Sequence, residues 1–165
     1  MIKRILTALA ASIAVAAPAH ATPTEWTSLN LIELVQRNGI NVTINEDCPA
    51  NVLGNYEWVG MKRTINLCPG DEVDPIDHAT LRHEVWHAIQ HCVNTARGTS
   101  ANTPVGDIKE LNQNITEYLP QSTINYVKTS YKSSNWAIEL EANIIEQNFT
   151  PLEVGEMFID ACTAE

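Results

Sequence analysis

The chain has 165 residues, 44% of them hydrophobic, and carries 20 acidic side chains against 10 basic ones for a formal charge of −10. That length supports one domain with a real core and is too short for two. The acidic balance excludes nucleic acid and anionic membranes as natural partners, because both repel a negatively charged surface, and it reads as solubility rather than as a binding role.

Residues 1–21 read as a secretory signal: Lys3 and Arg4, an apolar run from Ile5 to Ala17, then Ala19-His20-Ala21 as a cleavage site. The run is too short and too rich in alanine for a stable membrane span, and no cysteine follows the cleavage site to accept a lipid. A single mature domain over residues 22–165 is expected, secreted or periplasmic, with no membrane attachment after cleavage. Without Lys3 and Arg4, 8 basic residues face 20 acidic ones, a formal charge of −12. Cys48, Cys68, Cys92 and Cys162 all lie in the exported part, where an even number reads as two disulfides. Three pairings are possible. Cys48 and Cys68 flank an expected hairpin, while Cys92 ends a helix and Cys162 ends the chain, which favours 48–68 and 92–162. A structural zinc site built from the cysteines lacks any CxxC spacing to support it.

In chain order, Ser28 is the expected N-cap of a helix over about 28–38, with Leu31, Ile32, Leu34 and Val35 as its apolar stripe and Gly39 as its stop. Ile40, Val42 and Ile44 alternate with polar residues as in a half-buried strand. Two more strands, near 56–59 and 62–67 with Gly60 at the turn, complete an expected small antiparallel sheet. Asp74-Pro75 supplies a cap and first-turn proline for a helix over about 75–94. Residues 98–106 form a loop, and 107–132 hold one or two helices interrupted at Pro120. Ser133-Ser134-Asn135 can cap a helix from Trp136 to Asn148, and Thr150-Pro151-Leu152-Glu153 is a capping box that opens a last helix towards Cys162. The fold class is therefore α+β, a small sheet followed by a mainly helical part.

The helix over 75–94 carries His83-Glu84-Val85-Trp86-His87, an HExxH pattern. Residues four apart share one helix face about 6 Å apart, so His83 and His87 can present both imidazoles to one Zn²⁺. Glu84 then stands beside a coordinated water whose pKa falls to about 7, and can serve as general base. Two histidines and a glutamate are costly in a helix with apolar neighbours unless something binds them. An ordinary helix with chance histidines is the bland alternative. His91 continues the series but lies about 12 Å from His83 along the axis, too far to share one ion, and His78 has the same problem.

The third ligand is expected from Glu139-Leu140-Glu141-Ala142-Asn143. Here the chain resembles the gluzincin class of zinc metallopeptidases, in which HExxH is completed by a downstream ExxxD, and is similar to minimal zincin domains. The resemblance covers about ten residues. It implies a zincin-like fold, Glu139 as third metal ligand and Asn143 in the position of the Asp that supports a zinc histidine, with an amide where the family has a charge. Glu139 and Glu141 point about 200° apart on a helix, so only one can face the metal. Glu141, among Ile138, Ile144 and Ile145, is a buried group in need of a partner and the alternative ligand. Tyr118, Tyr126, Tyr131 and His78 are possible donors to a developing oxyanion, and Tyr56 a candidate wall of the substrate cleft. The edge of the sheet can hold an extended peptide by strand addition. The expected function is hydrolysis of peptide bonds in a peptide or protein substrate; the rival is a zinc-binding exported protein without turnover, whether pseudo-peptidase, inhibitor or structural module.

Overall fold

Helix α1 (Ser28–Arg37) starts one residue earlier than a Ser28 cap implies: Thr27 is the N-cap, its N–H donated to Asn30 Oδ1 at 2.9 Å, which leaves Ser28 buried inside the first turn. The protein is seen in a computed structural model that describes residues 26–49, 52–68, 78–100 and 103–163. The signal segment and the Asp74-Pro75 cap lie outside the described residues. Leu31 and Val35, four apart, bury one face of α1, and the chain turns directly into strand β1 (Ile40–Ile44).

Strands β2 (Gly54–Val59) and β3 (Lys62–Leu67) form the expected antiparallel hairpin. Gly60 takes φ +62° at its turn, a conformation that glycine adopts without strain. The sheet as a whole is mixed, not antiparallel. Its order is β1-β3-β2, with β1 parallel to β3 and Ile40 opposite Arg63. The hairpin docks on β1 through its second strand, and two strands that enter the sheet in the same direction pair in parallel. The consequence for function is that β2 becomes an edge strand.

Helix α2 (His78–Arg97) carries HExxH and runs three residues beyond the expected end. Pro120 separates α3 (Ile108–Tyr118) from α4 (Gln121–Ser130), with Leu119 held extended as a residue before proline must be. Ser133–Asn135 form a 3₁₀ turn rather than a side-chain cap, and lead into α5 (Trp136–Asn148). The Thr150/Glu153 capping box opens α6 (Pro151–Cys162) as expected.

Two clusters of buried side chains share α5. Leu31, Ile40, Ile65, Val85 and Phe158 belong to the larger one, which α5 enters through Ala142 and Ile145. Leu111, Ile124 and Val127 belong to the smaller one, which α5 enters through Leu140 and Ile144. Both disulfides join as expected, Cys48 to Cys68 across the foot of the hairpin and Cys92 to Cys162, tying α6 to α2. The architecture is one α+β domain. Among the described residues no helix is long and apolar enough to cross a membrane.

Candidate metal centre

The first turns of α2 and the start of α5 cross so that His83, His87 and Glu139 face one another. Arg82 secures the crossing by donating two guanidinium N–H groups to the carbonyl of Glu146, at 2.6 and 3.2 Å. His83 Nε2 lies 3.4 Å and His87 Nε2 3.7 Å from Glu139 Oε2, and all three atoms lie within 4.8 Å of one another. A tetrahedral ion with bonds of about 2.0–2.1 Å spaces its ligands by roughly 3.4 Å. This group could hold a metal ion, and it is the one the sequence singles out.

The proton positions support that fit. His83 Nδ1 sits 2.9 Å from Glu146 Oε2, and His87 Nδ1 sits 2.8 Å from Gln90 Oε1. Both oxygens accept, so in the neutral rings the proton is on Nδ1 and the Nε2 lone pairs turn to the centre. Glu139 Oε2, buried there, makes no hydrogen bond. A buried carboxylate oxygen without a donor is costly, and three converging electron pairs call for a cation.

Without a metal ion, charge is shared within the group. Burial pushes His83 down, but the Glu139 and Glu146 carboxylates outweigh it and hold the ring up at about 10. Burial raises Glu139, and the two histidines more than reverse this, bringing it to about 2. Glu84 is raised, chiefly by burial, against the pull of His83 and His87. Its carboxylate accepts the backbone N–H of Tyr56, which binds the edge strand to the helix at the base itself. Gly54 permits that approach: a Cβ there would lie 2.6 Å from Thr80 Cγ2 and 3.2 Å from Glu84 Cγ.

Two cavities flank the group. One, of about 360 Å³, is lined by Gly54, His83, Glu84, Tyr126, Tyr131 and Glu146. The other, of about 260 Å³, is lined by Tyr56, Trp58, His87, Gln90, His91 and Glu139. Of the tyrosines named from sequence, Tyr126 and Tyr131 line the first and Tyr56 the second. Tyr118 packs in the smaller core cluster. Burial, with the negative charge of Glu139 behind it, pushes the Tyr131 phenol well above its ordinary range. The side chain of His78 lies outside the described part.

Of three further residues named from the sequence, Glu141 and His91 lie as that reading has them and Asn143 does not. Asn143 does not support a histidine: its amide donates to the carbonyl of Glu139 at 2.9 Å, one turn back in its own helix. Support comes instead from Glu146 and Gln90, which the motif does not include. Position alone carried a signal for both, since Glu146 is seven residues after Glu139 on the same face and Gln90 three after His87. Glu141 is buried, as its apolar neighbours implied, and faces Trp86, Gln90 and the backbone at 105–106 rather than the histidines. His91 stays out of the group, its Nδ1 2.7 Å from Tyr56 Oη and its ring 3.9 Å from that of Trp58. No protein-family model, curated protein or solved structure matches the chain.

Proposed function

We propose that this chain is an exported zinc peptidase of gluzincin type that hydrolyses peptide bonds in a peptide or protein substrate. The observation that carries the reading is the convergence of His83 Nε2, His87 Nε2 and the buried Glu139 Oε2, which makes no hydrogen bond, beside the carboxylate of Glu84. Imidazole and carboxylate ligands in a compact set of three suit zinc, which supplies a Lewis acid and an acidified water when bound.

The residues of the chain then divide the work. His83, His87 and Glu139 hold the ion. Glu146 keeps the His83 ring oriented through Nδ1. Glu84 takes a proton from water and passes it to the leaving amine, and burial raises its basicity towards neutral pH, where a general base works best. Tyr131, kept protonated, offers an O–H donor on the cavity that Glu84 lines. Strand β2, at the edge of the sheet among the described residues, passes Glu84, so an extended peptide that pairs with the rest of that edge has its backbone beside the base. Two disulfides suit the oxidising space outside the cytoplasm, in keeping with an exported protein.

The test is zinc content measured together with cleavage of a mixed peptide library. Wild-type protein should hold about one zinc and cleave in a chelator-sensitive way, and Glu84→Gln should keep the zinc while losing at least about a hundredfold in rate. Zinc without turnover in the wild type would instead establish the non-catalytic reading.

A further inference from the structure

Gln90 is almost fully buried, one turn beyond His87 on α2. Its amide nitrogen donates to Glu141 Oε2 at 2.8 Å and to the carbonyl of Ile138 at 3.1 Å. Neither partner has a proton to give, so the nitrogen end belongs there and the oxygen end faces His87 Nδ1 at 2.8 Å. An oxygen in that place requires the imidazole proton on Nδ1. A reversed amide would present N–H groups to Nδ1, demand a lone pair there and move the ring proton to Nε2, where it blocks a metal ion.

Glu141 opposes that reversal. It is 4% exposed, and its two oxygens accept four N–H groups: Gln90 Nε2, Trp86 Nε1 at 3.2 Å, and the backbone amides of Val105 and Gly106 at 2.9 and 2.6 Å. The loop that supplies the last two is strapped to α2, with Asn94 Nδ2 donating to the carbonyl of Thr103 at 2.6 Å and Arg97 Nη1 to that of Val105 at 3.3 Å. A carboxylate ringed by four donors has no orientation in which it donates. Its anionic acceptor and the carbonyl of Ile138 therefore fix the direction of the Gln90 amide together, and an amide side chain at position 141 weakens that preference, because its own NH₂ can donate to a reversed Gln90.

We infer that Glu141, acting through Gln90, is a positioning residue that sets the tautomer of His87 and so keeps Nε2 open to the metal ion. The inference rests on the metal reading for its purpose, but the hydrogen-bond chain makes a claim about the metal-free protein as well. The bland alternative is that Glu141 only braces the 103–106 loop.

The experiment uses the purified protein, stripped with chelator, in four forms: wild type, Glu141→Gln, Gln90→Met and the exchange Gln90→Glu with Glu141→Gln. Nitrogen-15 NMR of the imidazoles should find His87 protonated on Nδ1 in the wild type and partly or wholly on Nε2 in Glu141→Gln. Zinc titration should show each single variant at least about tenfold weaker. In the exchange, the carboxylate brought to position 90 accepts from both His87 Nδ1 and the amide nitrogen brought to position 141, while the amide oxygen at 141 keeps the N–H of Gly106; Trp86 Nε1 and the amide of Val105, which share Oε2 with Gln90, give up that acceptor. The Nδ1 tautomer should therefore return. A role in bracing alone predicts that the exchange is no better than Glu141→Gln. Gln90→Met leaves Glu141 and its loop in place, so it tests the relay even if Glu141→Gln does not fold. The Nδ1 tautomer persisting in Glu141→Gln, or an exchange that restores nothing, overturns the inference. Wild-type protein that binds no zinc yet shows the tautomer change overturns the metal reading and leaves the relay standing.

Discussion

Replacing Glu139 by Gln keeps the shape of the side chain and removes its charge, so it isolates what that charge does. In the metal-free protein the histidines hold Glu139 at about 2 instead of its ordinary 4.5, a gap worth about 3 kcal/mol. Because the folded value is the lower one, this stabilisation is fully present above pH 4.5 and is lost as pH falls towards 2. His83, raised from 6.5 to about 10 against its burial by Glu139, Glu146 and Glu84, shares the Glu139 contact and adds those to the other two carboxylates. Its share is present below pH 6.5 and lost as pH rises through 10, and the two are not added. Metal-free wild type should therefore be most stable between about pH 4.5 and 6.5. At pH 6 Glu139→Gln should be weaker by about 3 kcal/mol, roughly 10 °C in melting temperature for a domain of this size. The fall in stability between pH 4.5 and 2 should flatten in the variant, and zinc retention should drop severely. Thermal melts from pH 2 to 8 with chelator, run beside zinc titrations, measure both. A stripped Glu139→Gln that melts with the wild type at pH 6, or a variant that binds zinc like the wild type, refutes the reasoning.

Glu146→Gln removes the carboxylate on His83 Nδ1 and should weaken zinc by about tenfold or more, whereas Asn143→Ala, whose amide bonds to the backbone of its own helix and not to a histidine, should cost less than Glu146→Gln; competition titrations rank the two. Gly54→Ala forces a methyl against Thr80 and Glu84, so it should lower stability by about 1–3 kcal/mol and slow peptide cleavage by shifting β2 away from the base; a melt and a rate assay on one sample read both. Removing Cys92–Cys162, with a separation of 70 residues, should cost about 4 kcal/mol, against about 3 for Cys48–Cys68 with 20, as denaturant unfolding of the paired alanine variants will show.

The parts of the site that were legible in sequence are those set by local spacing. HExxH puts His83 and His87 on one face because a helix has a fixed pitch, and the cap at Thr150, the break at Pro120 and the turn at Gly60 follow equally local rules. What was not legible depends on neighbours brought in by the tertiary fold. The parallel pairing of β1 with β3 reflects which hairpin strand docks, and alternation of apolar residues carries no information about it. Asn143 drew the supporting role because a motif was matched position by position. The crossing of α2 and α5 instead delivers Glu146, one turn further on, to His83.

The choice between Glu139 and Glu141 shows why burial could not be read from one face of the wheel. Helix α5 is buried continuously from Ile138 to Ile145, since one side meets α2 and the other meets α3 and α4. A helix enclosed on all sides has no solvated face on which to leave a carboxylate, so each of its polar groups must find a partner. Glu141 finds four N–H donors and Asn143 finds the carbonyl of Glu139. Among the described residues, Glu139 alone keeps a buried side-chain oxygen without a hydrogen bond, and that oxygen is the one the two Nε2 atoms face. An apolar side chain at 139 would be the cheaper choice for packing alone. A glutamate in that place is best explained by a cation, which is the physical reason for assigning the third ligand to Glu139 and the supporting network to Glu141.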